Sequence, residues 1–170
     1  MAKFVRGFRN RVGRHWPVAI KDFEEALQLL ENERYVERQR AAIYTELAST
    51  YLHTNPPQFD DALRMARAAF EQKDVTHTLS AYVHTLVFFV FRSGRFKSID
   101  SMAEYLTEIE TLLQQLRIRS EANGQDFHAN RLAEYQRERG TWERNFASSQ
   151  TSKAVAIPAE RFAPIELDYL

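Results

Sequence analysis

At 170 residues, with 44% hydrophobic and 27% charged side chains and only five glycines and five prolines, the chain suits one domain or one short repeat array and is neither disordered nor fibrous. Lysine plus arginine equals aspartate plus glutamate at 23 each, so no global charge argues for nucleic acid or a membrane. Cysteine is absent, which excludes a disulfide framework, thiolate-bound zinc and a cysteine nucleophile, and fits a reducing, cytoplasmic setting.

Residues 1–16 form a basic amphipathic segment. Lys3, Arg6, Arg9, Arg11 and Arg14 all precede the first acid, Asp22. Phe4, Phe8, Val12 and Trp16 recur every four residues, which predicts one apolar side of a helix. Gly7 and Gly13 weaken that helix by about 1 kcal/mol each relative to alanine. Trp16 stands before Pro17, so the helix is expected to end there and a new one to open on the proline. No apolar stretch follows the basic start, so a cleavable secretory signal is not expected.

The next helix carries Ile20, Phe23, Leu27 and Leu30 and is expected to run to about Glu33. Another begins near Glu37, carries Ile43, Tyr44, Leu47, Tyr51 and Leu52, and ends at Asn55-Pro56-Pro57. A third opens after the prolines with Asp60 and Asp61 at its positive end, and stops near Asp74. Thr76 to Arg92 predicts a helix that is apolar on nearly every side and therefore covered on several faces. Its apolar run Leu86–Phe91 is far short of the roughly 20 residues that span a bilayer. Ser93-Gly94 is a stop, with Gly94 suited to a left-handed conformation.

Phe96 to about Arg119 predicts the longest helix, and Phe127 to about Arg139 another, with Gly140 as an interruption before Trp142 and Phe146. Residues 148–170 are polar at first and then broken by Pro158 and Pro164, which predicts an extended carboxy-terminal tail. Five large apolar residues (Phe162, Ile165, Leu167, Tyr169, Leu170) among its last thirteen, beside Glu160, Glu166 and Asp168, predict that this tail docks on the chain's own array or on a second copy.

Four phrases repeat along the chain, centred on Phe23, Phe59, Phe96 and Trp142, at spacings of 36, 37 and 46 residues. A repeat of that period with helical patterning points to stacked antiparallel helix pairs, six or seven helices over residues 17–147. Within it, Tyr44-x-x-Leu47-Ala48-x-x-Tyr51 followed by Ala62 and Ala69 resembles the tetratricopeptide repeat. Ala48, Ala62 and Ala66 would let two helices approach closely. The likeness is firmest over 41–75 and looser in the following unit, where Gly94-Arg95-Phe96 resembles the inter-helix turn.

That resemblance implies an all-α, non-enzymatic scaffold for protein–protein interaction, with a concave face built from Thr45, Ser49, His84, Phe88 and Phe91. The implied partner is a protein or peptide, with a homodimer allowed for and membership in a larger signalling or defence protein left open. Some relatives of the family grip a terminal carboxylate with basic residues at these inner positions. Thr45, Ser49, His84 and Phe88 supply no fixed positive charge, which argues against that use.

The alternative reading is nucleic-acid or anionic-membrane binding through Lys3, Arg6, Arg9, Arg11 and Arg14. No histidine pattern supplies the three or four ligands of a metal site; Asp74-x-x-His77 offers two. Acidic pairs such as Glu24-Glu25 and Asp60-Asp61 are expected in first turns or on solvated faces, and no phosphate loop or nucleophile elbow is present. No catalytic residue, cofactor or metal is therefore expected.

Overall fold

The computed structural model describes the backbone of residues 2–154 and the side chains of residues 2–148. Among the described residues it holds seven helices: α1 (Ala2–Val12), α2 (Trp16–Leu29), α3 (Glu37–Leu52), α4 (Phe59–Gln72), α5 (Thr76–Arg92), α6 (Ala103–Asn123) and α7 (Phe127–Ala154). A single 3-10 turn, Asp100–Met102, precedes α6. There is no strand among the described residues, so the all-α class expected from the periodicity is the class found. No helix there is long and apolar enough to cross a membrane.

The punctuation works as elementary chemistry predicts at most joints. Pro17 lies in the first turn of α2, where its missing N–H costs nothing. Asp60 and Asp61 sit in the first turn of α4, and Gly94 and Gly124 take left-handed φ of 69° and 62° after α5 and α6.

Two boundaries differ from expectation. Residues 96–99 do not join α6, because Ser98 and Ser101 exchange backbone-to-hydroxyl hydrogen bonds at 3.1 and 3.2 Å and set the helix start there. Phe96 instead packs its ring against Phe89 and Tyr105. The last helix passes straight through Gly140 and continues to Ala154, past the start of the extended tail expected from residue 148. Contacts one turn apart carry it: Trp142 stacks on Phe146 at 5.0 Å, and Arg139 reaches Glu143 at 3.0 Å. The predicted docking of 158–170 falls outside the described residues.

Each helix packs on its neighbours in the chain, and α1 also touches α3, α3 touches α5 and α5 touches α7. Consecutive helices run antiparallel: Lys3 meets Glu25 while Asn10 meets Asp22, and Phe89 meets Tyr105 while Tyr82 meets Glu108. The alternate helices run parallel, since His77 touches Phe127, His84 touches Glu134 and Arg92 touches Glu138 in rising order.

The apolar helix α5 lies at the centre, against α3, α4, α6 and α7, and Leu79, Val83, Leu86 and Val87 are fully buried. Tyr82 ties three helices together: its hydroxyl donates to Glu108 on α6 and accepts from Arg67 Nε on α4 at 3.0 Å. Burial, then the Glu108 carboxylate, push its phenol up to about 12. Ala48, Ala62 and Ala66 are buried where α3 and α4 cross, as close helix approach requires.

The four repeated phrases are not four equivalent places. Phe59 opens α4 and Phe96 lies just before α6, but Phe23 is in the middle of α2 and Trp142 inside α7. Phe23 has a different task, which explains Gly7. A Cβ on Gly7 would stand 2.7 Å from Cδ1 and Cε1 of the Phe23 ring. The glycine that weakens α1 as an isolated helix is what lets α1 lie flat on α2.

Candidate functional site

A cleft of about 240 Å³ opens where α3 and α5 lie side by side, with α1 and α7 closing its two ends. Thr45, Glu46 and Ser49 come from α3, and His77, Ser80, His84 and Thr85 from α5. Arg11 reaches in from α1 and Phe127 and Arg131 from α7. Residues three, four and seven apart on two parallel helices share facing sides, so the helical period alone aligns these polar groups.

The hydroxyls of Thr45 and Thr85 donate back to the carbonyls of Ala41 and Ala81, both at 2.9 Å, leaving their oxygens to accept. At the α7 end, Glu134 is gripped from two sides. His84 Nδ1 lies 2.9 and 2.8 Å from its two oxygens, and Arg131 Nη1 donates to Oε2 at 2.6 Å. A ring nitrogen facing both carboxylate oxygens must carry its proton toward them. Arg131 Nη1, although 2.6 Å from the same Nδ1, is therefore satisfied by Glu134 and not by the ring. Burial opposes ionisation of Glu134, but the His84 and Arg131 donors prevail and hold its carboxyl below the usual range.

The α1 end is different. Arg11 Nε stands 2.6 Å from Glu46 Oε2, yet neither atom has a hydrogen-bond partner, because the N–H is not aimed at the oxygen. Burial therefore dominates and pushes the Glu46 carboxyl up, with the charges of Arg11 and His77 and the close but poorly aligned Arg11 contact only partly offsetting it. Among the described residues three buried side-chain atoms lack a hydrogen-bond partner: Arg11 Nε, Glu46 Oε2 and Arg131 Nε. All three residues line this one cleft.

Of the five residues expected on the concave face, Thr45, Ser49 and His84 meet in the cleft. Phe88 sits one turn along α5, its ring 4.5 Å from that of His84 and its face covered by the Arg92 guanidinium at 3.9 Å. Phe91 packs at 6.0 Å from Tyr135 and borders a second hollow with Glu138 and Trp142, between α5 and α7. Arg92 grips Glu138 there with two bonds, at 2.8 and 2.6 Å.

The cleft also contains what the sequence reading did not assign to it. Arg11 and Arg131 bring positive charge beside Thr45, Ser49 and His84, from helices remote in sequence. Arg131 carried a signal of its own in hindsight, since Arg131 and Glu134 are three apart on α7 and form an ion pair. Glu46 had none, because a lone glutamate on α3 looks like any solvated acid.

The basic segment divides. Lys3 pairs with Glu25, Arg6 with Asp22, and Arg11 with Glu46. Asp22, the first acid in the chain, is only 1% exposed beneath α1. The Arg6 hydrogen bond, aided by Asn10 at 2.8 Å, holds its carboxyl below the usual range against the cost of burial. Arg9 and Arg14 are exposed and make no ion pair among the described residues.

The apolar side of α1 is also not the predicted one. Phe4 turns inward to lie 5.8 Å from the Phe23 ring, while Phe8 and Val12 remain exposed. No group of three or more potential metal ligands occurs among the described residues, and the Asp74–His77 pair gains no third member. Asp74 instead pairs with Arg119, whose hydrogen bonding lowers its carboxyl. No protein-family model, curated protein or solved structure matches this chain.

Proposed function

We propose that the chain is a non-enzymatic interaction module of tetratricopeptide-like design, and that the cleft between α3 and α5 receives an extended peptide segment of a partner protein. One observation carries the reading: the three residues that hold a buried polar atom without a partner among the described residues all line a single cleft. A buried, unsatisfied polar group costs about 1–3 kcal/mol, so a fold that keeps three of them together keeps them for something that is bound there. The chemistry is that of a peptide backbone. Guanidinium donors at both ends suit carbonyl oxygens, the Glu46 carboxylate suits an N–H, and the Thr45 and Thr85 oxygens accept. Two fixed cations are each matched by a glutamate, which favours a ligand without strong net charge.

The test is selection of displayed random peptides on the immobilised full-length chain, followed by titration of selected peptides against variants. Ser49 is half-buried at the cleft, so Ser49→Trp fills the space without entering the core. Selected peptides should bind the parent chain and lose at least about tenfold on Ser49→Trp, about 1.4 kcal/mol. Failure to enrich any peptide, or binding that ignores Ser49→Trp, overturns the proposal.

A further inference from the structure

Helix α1 carries an apolar stripe that no other helix of the described fold covers, although the Arg11 guanidinium lies 5.2 Å over the Phe8 ring. Val5, Phe8 and Val12 are 47%, 44% and 66% exposed, spaced three and four apart, so they form one line along the helix. They lie away from the side of α1 formed by Phe4, Gly7 and Asn10, which meets α2. Arg9 stands next to the stripe on α1 and Arg14 follows in the turn after the helix, and neither makes an ion pair among the described residues. The surface is therefore apolar with unneutralised positive charge at its margin. A second α1 is a poor cover for it, because the arginines would be brought together.

A matching surface is an apolar segment interleaved with acids, and the chain contains one. Residues 158–170 hold Phe162, Ile165, Leu167, Tyr169 and Leu170 together with Glu160, Glu166 and Asp168. From Ile165 to Asp168 apolar and acidic residues alternate, so an extended segment would present apolar side chains on one side and carboxylates on the other. Sixteen residues follow Ala154, the last residue of α7, and extended they span on the order of 55 Å. Ten of them, residues 155–164, precede Ile165 and span about 35 Å when extended, which lets Ile165–Leu170 lie on a helix other than α7 or on a second copy.

We infer that residues 158–170 are the cover of the α1 stripe: apolar side chains of the segment lie on Val5, Phe8 and Val12, and its carboxylates face Arg9 and Arg14. This goes beyond the peptide cleft, whose lining residue Arg11 adjoins the stripe at Phe8 but which includes none of Val5, Phe8, Val12, Arg9 and Arg14.

The full-length chain with the photoreactive amino acid benzoylphenylalanine in place of Tyr169 tests it. Irradiation should give crosslinks that mass spectrometry maps to α1. The size of the adduct tells whether the α1 reached belongs to the same chain or to a second copy, and either supports the inference. Phe8→Glu with Val12→Glu, both at exposed positions, should reduce the α1 crosslink at least about fivefold while leaving the helical circular dichroism unchanged. Arg9→Glu with Arg14→Glu should also weaken it, and Glu166→Lys with Asp168→Lys in that background should restore it. Crosslinks that map elsewhere, an absence of crosslinks, or a stripe that binds phosphatidylserine vesicles with the α1 crosslink missing would overturn the assignment.

Discussion

Two glutamates, Glu46 in the cleft and Glu134 beside it, each have an arginine 2.6 Å away and are treated in opposite ways. At the α7 end Glu134 receives aimed hydrogen bonds from His84 and Arg131 and its carboxyl is lowered. At the α1 end Glu46 has Arg11 equally close, with the Arg11 Nε–H poorly aligned to Oε2, and burial raises its carboxyl. Both glutamate side chains are mostly buried, at 12% and 22% exposure, so depth does not explain the difference. Direction does. A buried carboxylate is stabilised by donors that point at it, and proximity of charge without alignment leaves most of the desolvation cost standing.

The largest expected effect breaks the satisfied end. Glu134→Ala leaves Arg131 and His84 half-buried without their acceptor and should lower unfolding stability by about 2–3 kcal/mol, measured by urea denaturation. Next, Gly7→Ala tests how the unsatisfied end is positioned. Alanine normally strengthens a helix by about 1 kcal/mol over glycine, but here its Cβ meets the Phe23 ring. A net loss of about 1–3 kcal/mol is expected, from overpacking that lifts α1 from α2. Phe23→Leu in the Gly7→Ala background should recover part of the overpacking loss, so the two changes should not add. An outright gain in stability from Gly7→Ala would mean that α1 is not seated on Phe23.

A smaller effect of opposite sign is expected from Glu46→Gln. The amide keeps the shape and discards a charge that burial penalises, so stability at pH 7 should stay level or rise by up to about 1 kcal/mol. A loss as large as that of Glu134→Ala would show that Arg11 and Glu46 are a working pair and would remove the contrast.

The finest measurement is carboxyl titration by NMR, referred to the ordinary glutamate value of 4.5. Glu134, with its folded value lowered, contributes stability that is complete above 4.5 and is lost as pH falls through that lower value. Glu46, with its folded value raised, costs the fold stability above that value and relieves the cost as pH falls from it towards 4.5. The two resonances should therefore titrate on opposite sides of 4.5, and Glu46→Gln should remove only the upper contribution.

Much of the architecture was legible in the sequence because it depends on local chemistry. The 3.6-residue period of Ile43, Leu47 and Tyr51, the Pro56-Pro57 break, the capping Gly94 and the all-round apolar run of α5 each act within a turn or two of themselves. From them the sequence by itself determined the all-α class and the positions of most helices; Thr45, Ser49 and His84, named through the repeat resemblance, are found lining one cleft. What it could not determine is anything that rests on distance in space.

Gly7 read as a weak point in α1 until Phe23, sixteen residues on, proved to occupy the space of its side chain. Nothing in the sequence marked Asp22 as a buried acid, which it becomes because α1 folds over it with Arg6 and Asn10. The first and last repeated phrases matched in letters yet landed at different heights on their helices, since a phrase records composition and not register. Only the tertiary structure brought Arg11 and Arg131, 120 positions apart, to opposite ends of one cleft. Only it decided which glutamate would be satisfied there, because a hydrogen bond depends on an angle that no one-dimensional pattern carries.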